Sequence, residues 1–149
     1  MTTAQAIATP MEATQMSTNA NEISRKRLWT ARTLSVLSAA FFIVDGVMKL
    51  AKPAVVVQAT KQLGYPESTI VGIGVVLLSS TLLYLIPRTS ILGAVLLTGY
   101  LGGAVATNVR AEQPMFNVVF PVIMASLAWG GLWLRETRLQ QLLPLKNEP

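Results

Sequence analysis

The sequence predicts an all-α protein, a transmembrane four-helix bundle, and three features of the chain carry that prediction. Four apolar stretches have the length of a bilayer crossing, at about residues 34–50, 70–86, 91–109 and 116–134. Charged residues make up 13% of the chain, about half of the ~25% usual in soluble domains. Those charges lie mostly in the first 32 residues, the connections and the tail, which is how membrane proteins distribute them. The 149 residues suffice for one domain, read here as residues 25–138, with a polar tail at 1–24 and a short tail at 139–149.

Composition also removes several chemistries. The chain has no Cys, which excludes disulfides, thiolate catalysis and thiolate metal sites. It has no His, the commonest metal and haem ligand and general base. No metal site is therefore expected. The formal charge of +5 is not arranged as a basic stripe interleaved with aromatics, so nucleic acid is not an expected partner. It reads instead as a topology signal and an attraction to anionic lipid headgroups.

Taken in order, residues 1–22 are rich in Thr, Ala, Gln, Asn and Met without apolar periodicity, and are expected to be disordered. They lack the early positive charge of a secretory signal and the Arg-rich pattern of a transit peptide. Ser24-Arg25-Lys26-Arg27, with Arg32, forms a basic collar before the first crossing. It reads as a topology anchor with Trp29 at the headgroups, the alternative being binding of anionic lipid or nucleic acid.

The first crossing, 34–50, stops at Lys52-Pro53, where proline lacks the amide that would continue a helix. It contains FFIVDGVMKL, in which Asp45 and Lys49 are four residues apart and share a helix face. An Asp or Lys at the centre of a membrane helix costs roughly 2.5–3.5 kcal/mol on insertion scales, so such residues face the interior, pair, and often mark function. Lys49 lies near the helix end and can snorkel; Asp45 is a turn deeper and too short to follow. The pair is the candidate catalytic site, able to share or relay a proton. The alternative is a packed, neutralising bridge that sets the rotation of the first helix.

Residues 54–69 form the longest connection, with a short amphipathic piece closed by Gly64 and Tyr65-Pro66, expected on the membrane surface. In the second crossing, Gly72 and Gly74 allow close approach, and Ser79, Ser80 and Thr81 are available for interhelical hydrogen bonds. Pro87-Arg88-Thr89-Ser90 is a tight turn. The third crossing carries Gly93, Gly99, Gly102, Gly103, Ala104 and Ala106, which make it the most closely packed helix, with Gly99, Gly102 and Gly103 as the helix-packing residues; Gly99 and Gly103 form a small-xxx-small pair that also suits a homo-oligomer. Tyr100, Thr107 and Asn108 are its candidate ligand-binding residues. The fourth crossing has Pro121 in its first turns, and Trp129 and Trp133 one turn apart before Arg135 and Arg138. These read as an interfacial belt or, alternatively, a stacking platform for a ring ligand.

Orientation follows from Lys and Arg. Arg25, Lys26, Arg27, Arg32, Arg88, Arg135, Arg138 and Lys146 lie on one side, against Lys49, Lys52, Lys61 and Arg110 on the other. The excess places both termini in the cytoplasm.

Five motifs in order give the chain a likeness. They are Phe42, Gly46, Lys49 and Leu50 as F-x-x-x-G-x-x-K-L; Leu63-Gly64-Tyr65-Pro66; Pro87-Arg88-Thr89 leading into Leu92-Gly93-Ala94; Gly102-Gly103-Ala104 with Ala106-Thr107; and Trp129 through Arg135 as WGGLWLR. Over residues 34–135 the chain resembles the DoxX-like group of small four-helix membrane proteins. The resemblance implies a four-helix bundle and a link to quinone-dependent redox chemistry, since the wider family is named after a subunit of a quinone-linked oxidising assembly. Asp45 falls at an unspecified position of that pattern.

The expectation is thus an accessory membrane subunit of a quinone-linked redox system. Near a quinone carbonyl, Lys49 would donate a hydrogen bond and Asp45 would exchange a proton, with electrons coming from a redox-enzyme partner or a bound organic cofactor. A membrane scaffold needs only packed faces and a positive rim, both present. A small-solute transporter needs a polar path, for which Asp45, Thr98, Tyr100, Thr107 and Asn108 are available.

Overall fold

The computed structural model describes residues 10–136 and 139, with side chains from Arg25 onward. Five helices follow one another: α1 (Pro10–Ala51), α2 (Ala54–Gln62), α3 (Thr69–Leu85), α4 (Ser90–Arg110) and α5 (Met115–Arg135). The four long helices match the expected apolar stretches, and α2 is a fifth, nine-residue helix in the long connection. Among the described residues there is no strand. Three helical segments are long and apolar enough to cross a membrane: Arg25–Ala51, Ser90–Arg110 and Met115–Arg135. The expected second crossing, α3, has 17 residues, about 25 Å, at the lower limit of the ~17–25 residues a crossing uses. The chain is a multi-pass membrane protein.

The breaks fall where backbone chemistry requires them. α1 ends with Lys52 at φ 50°, its amide bonded to the Met48 carbonyl, before Pro53 removes the next donor. Glu112, also at φ 50°, ends α4 in the same way, with the Gln113 amide closing back onto the Asn108 carbonyl before Pro114. At the other end α1 departs from expectation. It continues back to Pro10, where a disordered tail was predicted. Residues 10–22 include Ala, Met, Gln and Glu, all good helix formers, and adding a residue to an existing helix needs no new nucleus. Residues 1–9, like the predicted tail at 140–149 with Lys146, and Arg138, lie outside the described residues.

The long helices form an antiparallel ring in which α1 packs on α3 and α5, and α4 closes the circuit between them. Every long helix thus has two main neighbours, so α4 is not the packing centre that its glycines suggested. Of its glycines only Gly93 makes a close approach, and Gly74 and Gly131 make others. A Cβ on Gly74 would lie 2.9 Å from the Lys49 Cβ and 3.2 Å from the Gly46 carbonyl, joining α3 to α1. One on Gly93 would lie 2.1 Å from the Tyr84 nitrogen, joining α4 to α3. One on Gly131 would lie 2.6 Å from Ser35 Oγ, joining α5 to α1. By contrast, a Cβ on Gly99, Gly102, Gly103 or Gly72 would meet nothing within 4 Å. Spacing along a helix says which small residues share a face, but not whether a neighbour lies over that face.

One end of the ring is held by a polar network buried among apolar residues. Tyr84 is fully buried, and its hydroxyl reaches the Ala128 carbonyl at 2.9 Å and Ser35 Oγ at 3.1 Å, linking α3 to α5 and α1. Arg135 lies over the Tyr84 ring and donates to the Tyr84 carbonyl at 3.2 Å. Ser80 and Thr81, expected to bond between helices, instead donate to carbonyls of their own helix, Val76 and Leu77. Trp129 donates to Thr98 at 2.7 Å, and Arg27 stands 6.0 Å over the Trp133 ring, 37% of that residue being exposed. Those contacts fit a packed interfacial belt better than a stacking platform.

Candidate functional site

Away from the Tyr84 end, the ring opens into a cavity of about 410 Å³ between α1, α4, α5 and the connection that carries α2. Asp45, Lys49, Tyr100, Thr107 and Asn108, the five residues expected to carry chemistry, all line it. Their convergence follows from chain direction. α1 runs toward this end and α4 runs parallel to it, so the last turns of both helices deliver their polar residues to one level. The antiparallel α5 contributes its first turns there, with Phe120, Pro121 and Met124.

Asp45 and Lys49 form a direct ion pair at 2.5 Å, with 35% and 18% of their side chains exposed. Lys49 therefore turns back along α1 to its partner. The pair leaves no net charge in the cavity and presents an ammonium donor beside a carboxylate acceptor, the arrangement a proton exchange requires. Tyr100 lies within electrostatic range of Asp45, and its hydroxyl makes no hydrogen bond among the described residues. Asn108 donates through Nδ2 to the Ala104 carbonyl at 2.9 Å, which leaves its amide oxygen and second N–H available. Thr98, placed by sequence on a polar path, is instead the acceptor for Trp129 and does not line the cavity.

Phe41, Phe120, Thr60 and Tyr65 are among the lining residues that were not anticipated. Phe41 precedes Asp45 by one turn, so positions 41, 45 and 49 repeat every four residues along one face; that spacing was visible in the sequence. Phe120 meets Phe41 edge to face, ring centroids 5.2 Å apart, across the α1–α5 contact. Thr60 and Tyr65 come from the connection, which folds over the end of the cavity as a strap. The Tyr65 and Thr107 hydroxyls share a hydrogen bond of 2.9 Å. Arg110 donates to the Leu63 carbonyl at 3.0 Å and stands 5.8 Å over the Tyr65 ring. Within the strap, Lys61 pairs with Glu67 at 3.1 Å. No single sequence signal marks the contacts of the strap with Thr107 and Arg110, because they join residues more than 40 positions apart.

Gly99 and Gly103 also line the cavity, so two of the three glycines assigned to helix packing border empty space. Among the described residues, no cluster of acidic side chains is arranged to hold a metal ion.

No curated protein and no solved structure matches the chain. A family model described as DoxX-like matches residues 33–131, well over half of the chain and all of the helical ring from the first crossing to Gly131. With that match, and with the bundle and its intramembrane cavity built from the matched segment, the chain belongs to the DoxX-like family.

Proposed function

We propose that the protein is a membrane subunit of a quinone-linked redox system and that its cavity binds the quinone headgroup. The observation that carries this reading is the gathering of a neutralised donor–acceptor pair, Asp45 and Lys49, with the aromatic walls Phe41, Tyr100 and Phe120 in one intramembrane space. Its volume lies toward the lower end of the ~300–1,000 Å³ typical of small-molecule sites. A planar ring with two carbonyl oxygens suits aromatic walls with few polar groups. Lys49 Nζ, the Tyr100 hydroxyl and the free Asn108 N–H are the donors within that space. A bound quinone supplies two-electron, two-proton carrier chemistry.

The chain's own residues hold and orient that group. Lys49 would donate to one carbonyl oxygen, Asp45, paired with the ammonium, would accept or return a proton, and the rings would keep the headgroup flat and dry. Electrons come from a partner redox protein on the membrane. On this reading the Tyr84 end, which the Lys and Arg excess of the sequence favours as the inner side, faces the cytoplasm.

The test is mass spectrometry of wild type and Asp45→Asn after gentle extraction from the native membrane. Wild type should retain a quinone, and Asp45→Asn should lose it while remaining folded. Bulk lipid alone in wild type would refute the reading.

A further inference from the structure

We propose that the cavity takes a head-and-tail amphiphile from the bilayer side, its polar head seated under the strap and its hydrocarbon tail leaving across Gly99 and Gly103. Because this takes the cavity to be the ligand site proposed above, it specifies how that ligand is built and how it enters.

Two independent features point this way. The first is a polarity gradient along the cavity. Lys49, Thr60, Tyr65, Thr107 and Asn108 crowd the strap end, near the last turns of α1 and α4. Asp45 and Tyr100 come next, further from the strap, and Phe41, Leu101 and Met124 line the portion nearer the middle of the bundle. A ligand that satisfies both ends has a polar head and an apolar continuation, in that order. The second feature concerns which wall is open. The strap end is closed by the Tyr65–Thr107 hydrogen bond and by Arg110 holding the Leu63 carbonyl. On α4, Gly99 and Gly103 border the cavity, are themselves exposed, and would carry a Cβ into open space. Both lie within the candidate membrane span Ser90–Arg110, so the opening they border is at bilayer depth. A cavity of about 410 Å³ holds a ring with a short continuation but not a long isoprenoid tail, which must therefore pass out through a wall. Two glycines one turn apart leave a backbone-lined groove for it, where larger side chains would fill the space.

The full-length protein in lipid nanodiscs should be titrated with two benzoquinones of the same headgroup, one tail-less and one with a long isoprenoid tail, following quenching of its tryptophans. Gly103→Leu should weaken the long-tailed ligand roughly tenfold or more beyond whatever it costs the tail-less one, the scale at which a single misplaced hydrocarbon group discriminates. Gly72→Leu, equally open but away from the cavity, should change neither. Should Gly103→Leu fail to fold, Gly99→Leu carries the same expectation. Equal weakening of both ligands by the portal variants, or no change in either, would overturn the tail route and leave the headgroup site standing. Failure of wild type to bind either quinone would overturn the site itself.

Discussion

Replacing Gly93 with alanine should destabilise the bundle strongly, and the same change at Gly103 should not. The added Cβ at Gly93 would lie 2.1 Å from the Tyr84 nitrogen, 2.4 Å from its Cα and 2.6 Å from the Leu83 carbonyl carbon, where ordinary contact begins at 3.4 Å. The obstructing atoms are all backbone, in the last turn of α3, and they are tied to α4 by the short turn through Thr89. No side chain can rotate away, so α3 and α4 must separate by more than ~1 Å, losing dispersion contacts along the seam. Overpacking usually costs ~1–3 kcal/mol. With backbone as the obstacle, the upper end applies, and the ~1 kcal/mol by which alanine favours a helix over glycine offsets part of it. The expected net loss is about 2 kcal/mol. At Gly103 a Cβ meets nothing within 4 Å, so only the helix preference remains and the variant should be as stable as wild type or slightly more so. Thermal unfolding in detergent, followed by tryptophan fluorescence, measures both. Equal melting of Gly93→Ala and wild type would refute the α3–α4 approach. A large loss at Gly103 would return α4's glycine pair to the role of packing seam.

Two further outcomes test the network and the caps. Tyr84→Phe removes a buried hydroxyl that joins three helices, and should cost about 1 kcal/mol, within the measured span for membrane-protein hydrogen bonds, seen as a lower melting temperature; unchanged melting would mean that Ser35 and Ala128 do not depend on it. Lys52→Gly relieves a left-handed backbone at φ 50° and should stabilise the protein by up to ~1 kcal/mol, provided that the Lys52 side chain is not otherwise engaged. A loss of stability there would show that it is.

Much of this architecture was legible because membrane insertion imposes strong rules on sequence. Proline and charge end apolar stretches abruptly, so Lys52-Pro53, Pro87 and Gln113-Pro114 mark helix limits to within a few residues. Asp45 and Lys49 were legible for a related reason: charge inside an apolar segment needs a partner, and four-residue spacing supplies one. Tyr100, Thr107 and Asn108 stood out as polar groups in an apolar helix, and the parallel course of α1 and α4 brings them to the same cavity. What could not be read was which faces meet. Gly99 and Gly103 have the spacing of a packing motif but border empty space, whereas Gly93, named with them only as one small residue among several, and Gly131 make close contacts. The strap was likewise hidden, since Tyr65 reads locally as part of a turn and gains its role only by meeting Thr107 and Arg110. The extension of α1 to Pro10 shows a different limit, that hydropathy marks where a helix is apolar and not where it begins.

The most direct test of the central claim is to locate the ligand. A photoreactive benzoquinone would be crosslinked to the protein in its native membrane and the adducts mapped by peptide mass spectrometry, with and without excess unlabelled quinone. Adducts should concentrate in residues 41–49 and 99–108 and disappear under competition. Adducts confined to lipid-facing residues such as Val36, Leu82 and Val122, unaffected by competition, would contradict the account.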